Sequence, residues 1–373
     1  MELSFELFET ITDPRDEFKI KYKLTDILSI LVCAVISGAD TYEDIELYGR
    51  SKKNWLQQFL ELKNGVPSHD TFRRVMMLID PDEFESLFLN WIQNHMLIKT
   101  NGPDHIAIDG KTMRGSVDYT KGLAPIHIVN AYSVKNRLVL TQKAVSNKAG
   151  EKTILPPLLQ ALYLENTLVS IDAGGCFIDI ASTIHHQKGD YLLALKGNQK
   201  RLHADIKAYF ETHVFTAGRV HSPTTDGFDE SHGRLVRRRV FVHNDMRISP
   251  HLGAWPNPTN VLAIETIRSK KNKPNVTADI RYYITNSSRP PVELAQAIRD
   301  HWHIENSLHW VLDMTFNEDY CRIRHRNEAM NMALIRKFVL NLIRKDPKKG
   351  SIKGKRKKAS WSNDYLLELL SPA

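Results

Sequence analysis

Two segments of the chain end a run of apolar, strand-forming residues on an aspartate followed by small residues. They are Ile106-Ala107-Ile108-Asp109-Gly110 and Val169-Ser170-Ile171-Asp172-Ala173-Gly174-Gly175. A carboxylate at the end of a buried strand is costly unless it is paired or binds a cation. In neighbouring strands of one sheet, Asp109 and Asp172 would meet at one edge, where ligand sites of α/β sheets gather. The glycines that follow let a second backbone or a substrate come close. Taken singly, each aspartate is equally a turn former; the matched pair is what points to a site. Mg2+ takes oxygen ligands and usually only one or two protein carboxylates. Three carboxylates can therefore support two ions ~3.5–4 Å apart that clamp both oxygens of a phosphoryl transfer. The third is sought in Arg299-Asp300-His301-Trp302-His303-Ile304-Glu305-Asn306-Ser307-Leu308-His309-Trp310, with Glu305 the leading candidate. Asp313, Glu318 and Asp319 are rivals. His301, Glu305 and His309 lie at i, i+4 spacing and could face a zinc ion, but the HExxH pattern is absent and no cysteine supports it. The two tryptophans of this stretch also suit core packing.

Other polar clusters carry weaker signals. Leu195-Lys196-Gly197-Asn198-Gln199 ends a strand with a cation and amides, suited to phosphate contact. Ser231-His232-Gly233-Arg234, followed by Arg237-Arg238-Arg239, adds positive charge that could equally be a solvated face. No phosphate-cradling P-loop, Rossmann glycine pattern or G-x-S-x-G elbow occurs.

The elements that must position these residues change character along the chain. A length of 373 residues suggests two or three domains. Up to residue 99 the pattern is helical. Thr25-Asp26 can cap a helix that stops at Gly38, a second helix fits Tyr42–Leu62, and Ser68-His69-Asp70-Thr71 can cap a third through Ile79. Pro81 opens a fourth to about Met96. A small bundle fits this pattern; the sharper reading sends the third helix, with Arg73 and Arg74, into a DNA groove. Thr100-Asn101-Gly102-Pro103 marks a boundary. Strand-like runs follow at 105–108, 126–133, 138–144, 167–171 and 191–195, with helices at 151–164, 178–187 and 199–210. Three strands followed by α/β alternation imply a mixed sheet flanked by helices. Residues from about 212 to 291 read as a β-rich insertion, and helices resume at 292–312 and 328–343. Residues 346–373 form a basic tail, whose polar stretch Asp346–Ser360 reads as a mobile arm.

The net charge is +8, from 51 basic and 43 acidic residues, and the interval Arg344–Lys358 alone, with nine Lys/Arg and one acid, accounts for all of it. A neutral body with a cationic end suggests a polyanionic partner. The three cysteines, Cys33, Cys176 and Cys321, give no disulfide framework and no CxxC pair, and with an acidic N-terminus they fit a cytoplasmic setting. No apolar run is long enough for a membrane helix.

The sequence resembles bacterial insertion-sequence transposases of the DDE superfamily, in the branch that includes the H-repeat-associated proteins. The resemblance is carried by AIDGKTMRGS (107–116), SIDAGG (170–175), YLLALKGNQ (191–199), ESHGR (230–234), RYYITN (281–286) and IRDHWHIENSLHWVLDMTFNED (298–319). It implies a ribonuclease-H-like α/β core in residues 100–345, with a β-rich insertion between the second and third acids. It also implies a DDE triad of Asp109, Asp172 and Glu305 holding two Mg2+ ions, for which Mn2+ can substitute. Related families place a Tyr, Arg and Lys around the glutamate; here the stretch offers Arg299, His301 and Asn306. On this reading the enzyme cuts a strand at the element's end and joins the freed 3′-hydroxyl to target DNA. Lys111, Lys196, Asn198, Arg234 and Arg299 contact DNA, Trp302 stacks on a base, and a homodimer pairs two ends of double-stranded DNA. Two other functions stay open: a DNA-binding remnant that no longer transposes, and a metal-dependent nuclease without strand transfer.

Overall fold

The computed structural model describes residues 5–96, 104–145, 150–215, 222–231, 234–270 and 273–371. The turn cluster at 100–103 and the pair His232-Gly233 lie outside these residues.

The N-terminal segment is helical, as its apolar spacing predicts. Helix α1 (Leu24–Ile36) is buried over almost its whole length and runs through the middle of the helical layer. Its N-cap is Lys23, not the expected Thr25-Asp26. Asp26 lies inside the helix and accepts the Leu62 N–H at 3.0 Å, so a buried carboxylate tethers a distant loop. The helix expected over 42–62 is shorter: α2 (Tyr42–Ser51) is followed by a single turn, α3 (Lys53–Leu56). Helices α4 (His69–Leu78) and α5 (Pro81–His95) complete the layer, α5 capped by Asp80 with Pro81 at its first turn.

The sheet has nine strands in the order β3-β2-β1-β4-β5-β9-β8-β7-β6. Strands β1 (His105–Thr112), β2 (His127–Ser133) and β3 (Leu138–Val145) form an antiparallel meander. Helix α6 (Glu151–Gln160) crosses to β4 (Leu168–Ile171), and α7 (Ile178–His186) crosses to β5 (Asp190–Leu195). Both crossovers give parallel pairing, β1 to β4 and β4 to β5. This is the mixed, ribonuclease-H-like sheet that the resemblance implies. Helix α8 (Lys200–His213) leads into the insertion, with β6 (Thr225–Ser231), β7 (Arg234–His243), β8 (Asn260–Lys270) and β9 (Lys273–Thr285). The insertion is not a separate layer. β9 pairs antiparallel with β5 and so extends the main sheet.

Helix α9 (Pro291–Asp300), a π-helical turn (Ile304–His309) and α10 (Trp310–Phe316) then cross the sheet face, and α11 (Arg326–Lys345) packs against the edge strand β3. There Asn341 imitates a backbone unit: its Oδ1 accepts from Val139 N–H at 3.0 Å and its Nδ2 donates to Val139 O at 2.8 Å. The exposed edge is thereby covered. Helix α4 lies on α11, where Asn331 donates to the Met76 and Ile79 carbonyls and Glu328 faces Arg73 at 3.6 Å. One hydrophobic core runs from the N-terminal helices through β1–β5 to α11.

The expected mobile arm is corrected. Residues 352–370 form α12 (Ile352–Trp361) and α13 (Asn363–Leu370), which bury Tyr365, Leu366, Leu369 and Leu370. Arg356 is buried with them. It donates to Val35 O, in the last turn of α1, at 2.8 Å and to Thr315 O in the last turn of α10, with its guanidinium 4.4 Å from the Phe316 ring centre. A guanidinium is thus the shared C-terminal cap of two helices. Arg356→Ala is expected to destabilise by about 2–3 kcal/mol, since charged hydrogen bonds to buried carbonyls are lost. Lys353→Ala and Lys357→Ala, on the exposed side, should stay within about 0.5 kcal/mol. Denaturant titration of the three variants checks this. Among the described residues no helix is long and apolar enough to cross a membrane.

Candidate functional site

Parallel pairing sets the first two carboxylates side by side. The β1–β4 register matches Ile108 with Ile171, so Asp109 and Asp172 are the next residues on the two strands. β1 does not end there: Asp109 pairs with Asn130 of β2 and the strand runs on to Thr112. Asp172 caps the short turn after β4, one oxygen accepting the Gly174 N–H at 2.8 Å. A Cβ at Gly174 would lie 2.9 Å from Glu151 Oε2 and 3.0 Å from Asp172 Oδ1, so a side chain there would crowd both carboxylates. A Cβ at Gly110 would collide with both Glu151 and His127, which pair with each other below the strand.

The third carboxylate comes from the crossing helices. Asp109, Asp172 and Glu305 line one pocket of 360 Å³, with Ser170, His301 and Trp302. Glu305, His309 and Asp313 follow one another at i, i+4 spacing along the face turned to β1. His309 Nδ1 is 3.7 Å from Asp109 Oδ2 and 3.8 Å from Glu305 Oε2. Its Nε2 lies 3.4 Å from Asn130 Nδ2, and the ring is buried. Ligand atoms of Asp109, Glu305 and His309 all lie within 4.8 Å of one another. The π-helical turn that carries Glu305 and His309 is a feature that tends to mark functional sites.

Burial, with the Asp172 and Glu305 charges beside it, pushes the Asp109 carboxyl up to about 8. The His309 imidazole beside it holds the Glu305 carboxyl below its ordinary value. A half-buried group of carboxylates that repel one another is what a divalent cation relieves, and its oxygen donors suit such an ion. The neighbouring imidazoles form a second network. Ser170 Oγ lies 2.7 Å from His105 Nε2 and 2.8 Å from His301 Nδ1. Burial lowers His105 to about 3 and His301 to about 4. Both rings are then neutral at pH 7, and the serine hydroxyl can donate to one and accept from the other, tying β1 and β4 to the end of α9.

The expected DNA contacts divide. Lys196 lines the pocket and is exposed. Asn198 braces the Asp172 turn, donating to Ala173 O at 2.8 Å and Cys176 O at 3.1 Å. Trp302 is 48% exposed at the pocket rim, with the Arg281 guanidinium 5.7 Å from its ring centre. Arg299 pairs with Asp229 at 3.1 Å. Arg234 pairs through its backbone with Ser231, and its side chain lies outside the described residues. Lys111 is corrected. It is buried, with Nζ 2.6 Å from Asp313, 2.9 Å from Asp319 and 3.5 Å from Glu318. It binds the three rival carboxylates, so Glu305 alone of the four candidates faces the pocket.

The sequence reading missed Glu151, whose charge also reaches Asp109, and the link from His309 to Asp109. The acid at the head of the helix following a meander was the available signal for Glu151. His309 stood in the sequence only as a possible zinc ligand.

Comparisons of the sequence with known proteins identify a family. The model described as Transposase DDE domain matches residues 100–342, and the DDE_Tnp_1-associated model matches residues 5–92. "Putative transposase YncI" of Escherichia coli O157:H7 is 43% identical over 368 residues, covering 97% of this chain and 92% of that protein. "H repeat-associated putative transposase YhhI" of Escherichia coli K12 is 36% identical over 370 residues, covering 97% and 96%. The cryo-EM structure of the piggyBac transposase synaptic complex with hairpin DNA superposes with a TM-score of 0.47 at 12% identity, covering 98% of this chain and 79% of that one. With a domain model spanning most of its length and relatives matched almost end to end, the chain belongs to the DDE-domain transposase family.

Proposed function

We propose that the protein is a transposase that cleaves DNA at the ends of an insertion sequence and transfers the freed strand to target DNA. The observation that supports this reading is the convergence of Asp109, Asp172 and Glu305, from three separate elements, on one pocket. These residues would hold two Mg2+ ions, or Mn2+ in their place. Such ions lower the pKa of a bound nucleophile and neutralise charge on the leaving oxygen. Asp109, whose carboxyl is pushed up to about 8, would release its proton to hold an ion. His309 keeps the Asp109 and Glu305 carboxylates oriented towards each other. The Ser170 bridge to His301 fixes the end of α9 just before Glu305. Lys196, at the pocket mouth, is placed to take a phosphate oxygen of double-stranded DNA. A dimer that pairs two element ends completes the reading.

The test uses purified protein, Mg2+, target DNA and a duplex that carries the inverted repeat flanking the reading frame, 5′-labelled on the strand to be transferred. A cut at the repeat boundary and a labelled joined product are expected, and EDTA should abolish both. Cutting without joining makes the protein a nuclease; specific binding without cutting makes it a DNA-binding remnant.

A further inference from the structure

Beside the acidic pocket, the insertion face of the sheet and α9 enclose a second groove, of 650 Å³. The two share Arg281, Tyr283, Ile298 and Trp302 as lining, so they adjoin across the Arg281–Trp302 contact. The charge changes across that divide. The first part sets the carboxylates Asp109, Asp172, Asp279 and Glu305 against Lys196 and Arg281; the second sets Arg238, Arg268, Arg281 and Arg299 against Asp226, Asp229 and Asp300, so the balance shifts from acidic to basic. Strand alternation produces this face. Arg238 lies between Gly227 of β6 and Thr266 of β8, whereas Arg237 and Arg239 turn to the other side and pair with Asp226 and Glu265.

Two of the groove's cations are held by one acid. Asp229 Oδ2 accepts from Arg238 Nη1 at 2.5 Å and from Arg299 Nη2 at 3.1 Å. A pair of guanidinia converging on one anion is the arrangement that recognises a phosphate. Gly227 leaves the floor open, with Arg299 Nη1 3.8 Å from where a Cβ would stand.

The geometry points to this groove as the track of a single DNA strand running out of the acidic pocket, with Asp229 occupying the place of a phosphate until DNA displaces it. The inference rests on the transposase reading. It adds a binding site and an internal competitor to that reading. Trp302 offers a free ring face for an unstacked base at the divide, a contact that an intact duplex does not present. The phosphates on either side then meet the metal-binding carboxylates in one direction and Arg238 with Arg299 in the other.

The experiment measures binding in EDTA, so that no cleavage is involved. Fluorescence anisotropy compares a blunt duplex with the same duplex bearing a single-stranded extension. Asp229→Ala and Asp229→Asn are expected to bind the extended DNA about tenfold more tightly at low salt, with a log–log salt dependence steeper by about 0.7–1.4 as one or two cations are released to phosphate. Affinity for the blunt duplex should change by less than about twofold, within the scatter of a rim contact. Arg299→Gln should weaken binding of the extended DNA, and adding it to Asp229→Asn should remove most of the gain. Unchanged affinity in both Asp229 variants, or an equal gain on blunt DNA, overturns the inference. A wild-type protein that binds this way yet cuts nothing in Mg2+ would count against the catalytic reading and leave the groove standing.

Discussion

Asp109→Asn is expected to lower strand cleavage by about 10³-fold or more, roughly 4 kcal/mol of transition-state stabilisation, while DNA binding survives. The same change should make the metal-free protein more stable. The Asp109 carboxyl has an ordinary value of 3.8 and is pushed up to about 8 in the fold by burial and by Asp172 and Glu305. Folding therefore raises its proton affinity. The contribution of the acid to stability is greatest below its unfolded value and is lost as pH rises towards 8. Asparagine has no proton to lose and keeps the side-chain shape beside Asn130. The variant should gain about 2–4 kcal/mol over the wild type at pH 8, with little difference near pH 4. Thermal melts in EDTA at the two pH values measure this. Mg2+ should narrow the gap at pH 8 by stabilising the wild type alone. Retained cleavage removes Asp109 from the site. A variant that melts lower than the wild type at pH 8 shows that the carboxylate is not under repulsion.

The parts of this site that were legible in the sequence are those carried by short-range pattern. Apolar runs mark β1 and β4, and the aspartate that follows each run implies that the two carboxylates meet if the strands are neighbours; the parallel pairing that makes them so is seen only in the fold. Glu305 leads the candidates for the third acid because its stretch carries two tryptophans and three histidines and matches the family motif, while Asp313, Glu318 and Asp319 stay open as rivals. What decides the choice physically is Lys111, which holds those three in ion pairs. That pairing joins β1 to elements some two hundred residues further along the chain, beyond the reach of any spacing rule.

The misread elements share this origin. The stretch around Arg356 has the composition of a solvated arm, yet its partners are Val35 and Thr315, carbonyls at the ends of two distant helices. β6, with the sequence Thr225-Asp226-Gly227-Phe228-Asp229-Glu230-Ser231, has no apolar alternation and becomes a strand by pairing with β7. The helix expected to run unbroken from 292 to 312 changes to π-helical pitch over Ile304–His309. Periodicity reads a helix there but not its pitch, because the extra residue per turn is stabilised by what Glu305 and His309 meet on the sheet.

Lys111→Met is expected to destabilise the fold by about 3–5 kcal/mol, the usual consequence of removing one partner of a buried ion pair. The side chain is 7% exposed and Glu318 is 1% exposed, so neither can turn to water. Burial alone would raise the Glu318 carboxyl; Lys337, Lys111 and Arg336 together hold it below its ordinary value. Without Lys111 the balance shifts towards burial, and Asp313, already raised by burial, loses the cation that restrains it. Both carboxyls should then titrate higher in the folded variant than in the wild type. A raised carboxyl contributes stability at low pH and loses it as pH rises, so the deficit of Lys111→Met should be largest near pH 8 and shrink towards pH 5. Adding Glu318→Gln should recover part of the loss, giving a coupling that a double-mutant cycle in urea can read. The effect on DNA should be indirect: α10 is held to β1 through this cluster, and Glu305 lies two turns before Asp313 on the same face. If Lys111→Met instead keeps its stability to within about 0.5 kcal/mol and loses DNA affinity with a shallower salt slope, the lysine is a phosphate contact. The sequence alone suggests that outcome, but an ammonium already surrounded by three carboxylates has no vacancy for a phosphate oxygen.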